Sequence, residues 1–433
     1  MIKQVVILCG GKGTRLGNLT KDSPKPLLPV AGEVLLDRTI KMLVGQGFTE
    51  FLLLAGHLGE QIVEHYVQRP VVGAKIEVYL ELEPLGTAGA LPLVVDKLES
   101  DFLLVYGDIF VDFDARRLAD FHEQGGRDVV ASLLVRQSDH PWDSHLVDVD
   151  EEGEVQEFIF EQEEGKLYKN FGNVAIYACS KKIVDYIPLN EPSDYGRNIF
   201  PKILNTKGRI RGLELEVGGF VRDMGTPDRL KLVENYLKRQ ARSKKARENQ
   251  KPLKVAFIDR DGTLNHERGL ITAPEQIEMI SGAAAAVARL CEAGWQCYII
   301  TNQPVIARGL CDVETLDAIN QKVISAIEEV GGSIKKLYYS PFHPETHHGD
   351  GVKEFRRASD CRKPGSGLLY QAEEENDINL SEVVMIGDTW RDIVAGQGAG
   401  VRTCFLGNME KGEELGADFI ASDLESFISS LEL

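Results

Sequence analysis

Apolar positions along the chain fall in short, nearly continuous runs separated by amphipathic stretches. Val5–Cys9, Phe51–Ala55, Phe102–Tyr106 and Val129–Val135 have the length and composition of strands covered on both faces. Between them, Asp37–Gly45, Glu60–Val67 and Arg116–Gln124 place apolar residues at helical spacing. Strand–helix alternation predicts parallel pairing with helices on both sheet faces, an α/β fold. The pattern then repeats. Val255–Ile258, Gln296–Thr301 and Val383–Ile386 read as strands, and Ala283–Ala293 and Val313–Val330 as helices, the second stopped by Gly331–Gly332. The join, Leu237 to Pro252, is polar and mostly basic. It reads as the helical tail of the first domain plus a linker with a solvated charged face. The expected organisation is a first domain over 1–236, a charged linker over 237–252 and a second domain over 253–433.

Length fits this division, because 433 residues exceed what one hydrophobic core organises. Forty-nine Lys and Arg against 67 Asp and Glu give a net charge of −18. That excludes nucleic acid and anionic membrane as general partners and leaves a local basic pocket open. No apolar run reaches the roughly 18 residues of a membrane span, and the first apolar run is too short for a signal peptide before Gly10 and Gly11 interrupt it. Seven scattered cysteines without a CxxC pair argue against a disulfide framework and for a reducing, cytoplasmic setting. Cys9 reads as a small core residue.

Two stretches carry chemistry. In the first, the strand Val5–Cys9 runs into Gly10-Gly11-Lys12-Gly13-Thr14-Arg15-Leu16. Glycines let backbone N–H groups approach an anion closely, and Arg15 adds a bidentate charged contact. Ser23-Pro-Lys-Pro-Leu-Leu-Pro29 follows, where three prolines hold Lys25 in a fixed place. The loop is neither a P-loop nor a dinucleotide fingerprint. Taken together, GGxGTRL followed by PKPL resembles the sugar-1-phosphate nucleotidyltransferases, over about residues 1–235.

That resemblance implies a Rossmann-like domain and further site residues. Gly86 and Thr87, in Leu85–Ala90, would line the base and sugar with Gly10, Gly11, Gly13 and Thr14. Asp108, in Tyr106-Gly-Asp108, and Asp223, in the D-x-GTP stretch Val221–Pro227, would hold Mg²⁺. Glu161 and Asn173 would contact the sugar. The reaction joins a sugar phosphate to the α-phosphorus of an NTP and releases pyrophosphate. The nucleophile is already an anion, so alignment and neutralisation by Arg15 and Lys25 are the main demands. The family's Glu-Lys pair is here Glu161-Gln162, which leaves the holding of the sugar phosphate open, with Lys169 as a nearby substitute.

In the second stretch, an apolar strand feeds Asp259-Arg-Asp261-Gly-Thr-Leu-Asn265. Two carboxylates two residues apart at a strand end can divide nucleophile and proton duties. DxDGT after a strand resembles the haloacid dehalogenase-type phosphatases, again with a Rossmann-like domain. By that resemblance Asp259 is the nucleophile, Asp261 the general acid and base, and Asp259, Asp261 (through its backbone carbonyl) and Asp388 the Mg²⁺ site. Thr301, Asn302 and Lys363 would hold the phosphoryl group. DRDGTLN, TNQ…IARG and DCRKP narrow the resemblance to the heptose bisphosphate and histidinol phosphate phosphatases, with Arg308 and Arg362 against the substrate. That branch usually carries a zinc loop. Here Ser340, Phe342 and Ser359 stand at ligand positions and only Cys361 remains, so zinc is not expected, although His343, His347 and His348 lie nearby.

The two resemblances together imply a bifunctional enzyme that removes the 7-phosphate of D-glycero-D-manno-heptose 1,7-bisphosphate and then joins a nucleotidyl group, GMP from GTP by family analogy, to the heptose 1-phosphate. The expected partners are small molecules, NTP and sugar phosphates, with a homo-oligomer left open. The alternatives are a hexose 1-phosphate transferase fused to a histidinol-phosphate or other sugar-phosphate phosphatase, and a first domain that binds nucleotide without turnover.

Overall fold

The run Val5–Cys9 becomes strand β1 (Gln4–Cys9) and lies at the centre of the first sheet. Its side chains alternate between two cores. Val5, Ile7 and Cys9 pack with Leu36 and Ile40, while Val6 packs with Leu52 and Leu91 on the other face. The structure is a computed structural model that describes residues 1–431 apart from 12, 14–15, 18–19, 140, 163–167, 217 and 345–350. It divides into two units, Met1–Leu237 and Lys238–Leu433.

In the first unit, helix α1 (Leu35–Gly45) buries Leu36, Ile40 and Leu43, one face at four- and three-residue spacing. Each such side chain stabilises the unit by about 1.5–3 kcal/mol. Strand β1 pairs in parallel with β2 (Glu50–Ala55) and β4 (Asp101–Tyr106), and β3 (Lys75–Leu80) pairs in parallel with β2. Helices α2 (Gly59–Gln68) and α3 (Ala115–Gln124) match their amphipathic stretches, and Asp114 caps α3 through the Arg116 N–H.

The parallel expectation stops there. Strand β9 (Phe171–Ser180) runs antiparallel to β4 and to β6 (Val129–Gln137), and β7 (Leu146–Val149) and β8 (Val155–Ile159) form an antiparallel pair. A parallel pair needs a crossover of a dozen or more residues, usually a helix, and the sequence between β6 and β9 has no helical period. Strand β10 (Arg209–Glu214) adds to β6 in parallel. A separate ribbon joins β5 (Ile109–Asp112) to β11 (Phe220–Asp223).

In the charged join, helix α5 (after the short α4, Phe200–Asn205) runs from Pro227 through to Glu248, so the expected helical tail takes in most of the join. Val233 belongs to a cluster with Val30, Leu35 and Phe110 in the first unit. Residues 238–248 belong with the second unit, where Ser243 and Ala246 are buried and the Ser243 and Tyr370 hydroxyls hydrogen-bond at 2.6 Å. Two small residues at i and i+3 among the charges make this face packable, which a count of charges does not reveal.

In the second unit β12 (Val255–Ile258) is central and wholly buried. It lies between β13 (Gln296–Asn302) and β15 (Val383–Gly387), with β14 (Lys336–Ser340) outside β13 and β16 (Arg402–Leu406) and β17 (Phe419–Ala421) outside β15. All these pairs are parallel. Helices α6 (Ala283–Glu292), α7 (Val313–Glu328), α8 (Gly367–Asn376) and α9 (Trp390–Ala399) cover the sheet. Sequence pattern alone does not pick out β14, β16 and β17.

Candidate active sites

In open α/β sheets ligands bind outside the carboxyl ends of the strands. In the first unit those ends bring together Glu81 after β3, Gly56 after β2, Gly10 after β1 and Gly107-Asp108 after β4. The Glu81 carboxylate lies against Gly10: a Cβ built there would stand 3.1 Å from Glu81 Oε2. Burial holds the Glu81 carboxyl above the usual range. Burial, with the charges of Asp108 and Glu81, pushes the Cys9 thiol far up, so it is inert. Lys25 is buried (5% exposed) and its ammonium donates to Asp108 Oδ2 at 2.5 Å. The β5–β11 register sets Asp223 opposite Ile109, and the Met224 N–H donates to the Asp108 carbonyl at 3.1 Å. Asp108 and Asp223 thus sit at one end of one ribbon.

Both carboxylates are suited to a hard cation, but each already faces a positive group. Asp223 accepts from Arg229 Nη1 on both oxygens at 2.7 Å.

Gly86 has φ +76°, and a Cβ there would stand 2.5 Å from the Ser193 carbonyl. The missing side chain lets 85–90 pack on 191–195. Thr87 ties the same segments by donating to Asp194 Oδ2 at 2.9 Å. Gly11 is exposed, and Gly13 has φ +63° with its carbonyl accepting from the Thr20 hydroxyl. Thr14 and Arg15 lie outside the described residues.

A cavity of about 680 Å³ opens beside this edge, bordered by Asn173, Asp223, Arg136, Arg197, Arg222 and Arg229. Asn173 Nδ2 donates to the Tyr177 hydroxyl at 2.9 Å. Glu161 is exposed and does not line the cavity. Lys169 is turned away, its ammonium on the Val149 carbonyl.

In the second unit Asp259 and Asp388 follow β12 and β15, and Thr301–Asn302 end β13; a cavity of about 360 Å³ has Asp259, Asp261, Thr301, Asn302 and Lys363 in its lining. Lys363 is 2% exposed, and its ammonium reaches Asp259 Oδ1 at 2.8 Å, Asp392 Oδ1 at 2.5 Å and the Ile300 carbonyl at 2.8 Å. Asn302 braces it, accepting from the Lys363 N–H and donating to its carbonyl, both at 2.9 Å. Asp392 is fully buried, and its other oxygen accepts from the Thr389 hydroxyl and N–H. Burial, then the charge of Asp392, holds the Asp259 carboxyl well above its usual range against the pull of Lys363.

Arg260, between the two aspartates, is fully buried. Its guanidinium grips Asp261 through Nε at 3.0 Å and Nη2 at 2.8 Å and donates to Asn320 at 2.7 Å. Asn265 and Gln303 also donate to Asp261, at 2.9 and 2.8 Å. Four N–H donors therefore fix the Asp261 carboxylate.

Gly262, at φ +80°, permits the approach of Asp388: a Cβ there would stand 2.1 Å from Asp388 Oδ2. Carboxylate oxygens of Asp259, Asp388 and Asp392 lie within 4.8 Å of one another. Asp388 Oδ1 is buried with no hydrogen-bond partner among the described residues. An orphaned buried carboxylate oxygen among further carboxylates fits a small hard cation such as Mg²⁺. Burial, then Asp392, raises the Asp388 carboxyl to about 6.

Arg308 Nη2 lies 3.4 Å from His343 Nε2, and Arg362 Nη1 donates to the Phe342 carbonyl at 3.1 Å; Arg308, His343 and Arg362 all line the cavity. Ser340 is buried, His347 and His348 lie outside the described residues, and no group of three Cys or His ligands gathers among those described. All seven cysteines are free. No helix among the described residues is long and apolar enough to cross a membrane.

Sequence pattern does not point to Glu81, Asp139, Arg222 or Arg260. Asp392 stands four residues after Asp388 on a helix start, and its grip on Lys363 needs the fold.

Both units are α/β domains that set acidic and basic groups at the carboxyl edge of a sheet, as phosphate chemistry requires. Known proteins bear this out. The profile of the nucleotidyl transferase family matches residues 4–239, and a HAD-hydrolase-like profile matches 360–426. Mannose-1-phosphate guanylyltransferase of Mycobacterium tuberculosis is 32% identical over 224 residues, 52% of this chain and 61% of that protein. The chain thus spans about three fifths of that relative's length. D-glycero-beta-D-manno-heptose-1,7-bisphosphate 7-phosphatase of Haemophilus influenzae is 33% identical over 175 residues, 40% of this chain and 92% of that protein. HddC from Yersinia pseudotuberculosis, solved with GMP-PN, covers 55% of this chain and 100% of its own at 24% identity and a TM-score of 0.46. The chain belongs to the nucleotidyl transferase family over its first half and to the HAD-type family of those phosphatases over its second.

Proposed function

We propose that the chain is a bifunctional enzyme of NDP-heptose synthesis. The second half removes the 7-phosphate of D-glycero-D-manno-heptose 1,7-bisphosphate. The first half transfers GMP from GTP to the resulting heptose 1-phosphate and releases pyrophosphate. One observation carries the proposal: a single chain joins a half related to heptose bisphosphate phosphatases to a half related to a guanylyltransferase, so the product of one is an acceptor for the other.

In the second half, a carboxylate oxygen of Asp259 attacks the phosphorus of the 7-phosphate and the bond to O7 breaks. The departing alkoxide takes a proton from Asp261. Water, deprotonated by Asp261, then splits the aspartyl phosphate and frees inorganic phosphate. Thr301, Asn302 and Lys363 hold the phosphoryl oxygens, and Arg308 and Arg362 hold the rest of the substrate. In the first half, Lys25 aligns the phosphates, with Arg15 on the leaving pyrophosphate. Asp259, Asp388 and the Asp261 carbonyl in the second half, and Asp108 and Asp223 in the first, would hold Mg²⁺, which neutralises phosphate charge when bound. Seven free thiols suit a reducing cytoplasm.

The test is mass spectrometry of products from heptose 1,7-bisphosphate incubated with each of the four NTPs. Inorganic phosphate, pyrophosphate and GDP-heptose are expected. Pyrophosphate release from no NTP, with heptose or hexose 1-phosphates, would reduce the first half to a binding module. A phosphatase that prefers histidinol phosphate would overturn the second assignment. Asp259→Asn is expected to abolish phosphate release and to spare transfer to supplied heptose 1-phosphate. The same assay with mannose 1-phosphate tests the acceptor suggested by the mycobacterial relative.

A further inference from the structure

The first cavity is lined by four arginines and four aspartates, so its positive charge is local to particular side chains. We propose that Arg222 and Arg136, aligned by Asp139, form the subsite for the phosphate of the acceptor sugar 1-phosphate. The subsite rests on the transferase reading of the first half.

Neither position 162 nor Lys169, where the sequence left the holding of that phosphate open, offers it a cation. Where the family pattern has a lysine, Gln162 stands instead, exposed, with its amide on the Pro141 carbonyl. Lys169 faces the Val149 carbonyl. Arg222 and Arg136 do line the cavity, together with Asn173 and Asp223. Arg222 Nη2 donates to Asp139 Oδ2 at 2.6 Å, and Arg136 Nη2 donates to Asp139 Oδ1 at 3.4 Å. One carboxylate thus holds two guanidinium groups side by side and leaves the trio with a net positive charge. Burial opposes ionisation of Asp139, but the bond and charge of Arg222 and the charge of Arg136 outweigh it and hold the carboxyl far below its usual range. The three side chains are 20–26% exposed, so a ligand meets them partly desolvated, where charged hydrogen bonds are strongest.

Of the five N–H groups of Arg222, one is used, on Asp139, among the described residues. The remaining fork matches the oxygens of a phosphate dianion, and a second guanidinium supplies the second charge. Position completes the case. Arg222 directly precedes Asp223 on β11, so a phosphate held there lies beside the Asp108–Asp223 end of the ribbon. A volume of about 680 Å³ takes a sugar phosphate comfortably.

The test follows pyrophosphate release by the full chain and its R222Q, R222K and D139N variants, at varied heptose 1-phosphate and at varied GTP. R222Q is expected to raise KM for the sugar phosphate at least tenfold and to leave KM for GTP within twofold. R222K should recover part of the loss, and D139N should fall between wild type and R222Q. An unchanged KM for the sugar phosphate in R222Q overturns the subsite. An equal rise in both KM values marks Arg222 as a structural brace and also overturns it. Calorimetry separates this from the transferase reading. If wild type turns over no sugar 1-phosphate yet binds mannose 1-phosphate, and neither free mannose nor folded R222Q gives that heat, the phosphate subsite stands without the reaction. Equal heats from wild type and R222Q, or no binding by wild type, refute the subsite.

Discussion

Replacing Lys363 by Met removes the cation between two buried carboxylates while keeping all but the last atom of the side chain's length. Lys363 and Asp392 are 2% and 0% exposed, and Asp259 is 11% exposed. Breaking a buried ion pair by deleting one partner costs about 3–5 kcal/mol, because a charge is stranded in low dielectric. That is about two to four decades in the unfolding constant. The assay is urea unfolding in EDTA followed by tryptophan emission. Trp295, 8% exposed, reports the second unit, whereas Trp142 in the first unit is already 37% exposed and changes less. The double variant K363M/D392N removes one stranded carboxylate and should be more stable than K363M alone, a sign that simple additivity forbids. The pH dependence has a fixed direction. The Asp259 carboxyl is raised on folding, by burial first and then by Asp392. Its contribution to stability is therefore complete below the unfolded value near 4 and is lost as pH rises through the folded value. The metal-free second unit should weaken from about pH 4 upward, and K363M more steeply. A loss below about 1 kcal/mol, or a double variant weaker than K363M, would refute this account of the triad.

Three further outcomes are expected. Gly262→Ala forces a Cβ to 2.1 Å from Asp388 and should cut phosphatase kcat/KM at least 100-fold while nucleotidyl transfer is unchanged, in paired assays on one preparation. Gly86→Ala combines φ +76° with a contact of 2.5 Å to the Ser193 carbonyl and should cost the first unit at least about 1–2 kcal/mol, seen as a lower Tm. A hydrogen bond from the Cys297 thiol lowers Cys291 to about 6, so iodoacetamide should label Cys291 first, at a rate that rises through about pH 6 and then levels, while buried Cys9, Cys179, Cys297 and Cys404 are spared. Peptide mapping by mass spectrometry that finds Cys9 labelled as fast as Cys291 would contradict this.

Strands buried on both faces were legible because their apolar runs are continuous, as Val5–Cys9 and Val255–Ile258 illustrate. The DxDGT turn and the glycine loop were legible because each combines a strand end with residues few folds place there. The antiparallel half of the first sheet was not, because pairing direction there depends on which connection lacks a helix, and β7 and β8 are short and broken by polar positions. Arg222 and Asp139 are 83 residues apart, and nothing local joins them. Asp392 and Lys363 meet only when α9 packs beside the loop before α8. Arg260 stands between two aspartates, and nothing in that local pattern marks it as the most deeply set charge of the loop.

That placement of Arg260 bears on any effort to redirect the phosphatase to new substrates. Its guanidinium is wedged between Asp261 and Asn320 with no solvent at its back, so position 260 offers no latitude to a mutagenesis library. Diversity belongs instead elsewhere in the cavity lining, at exposed Glu267 and part-exposed Leu270.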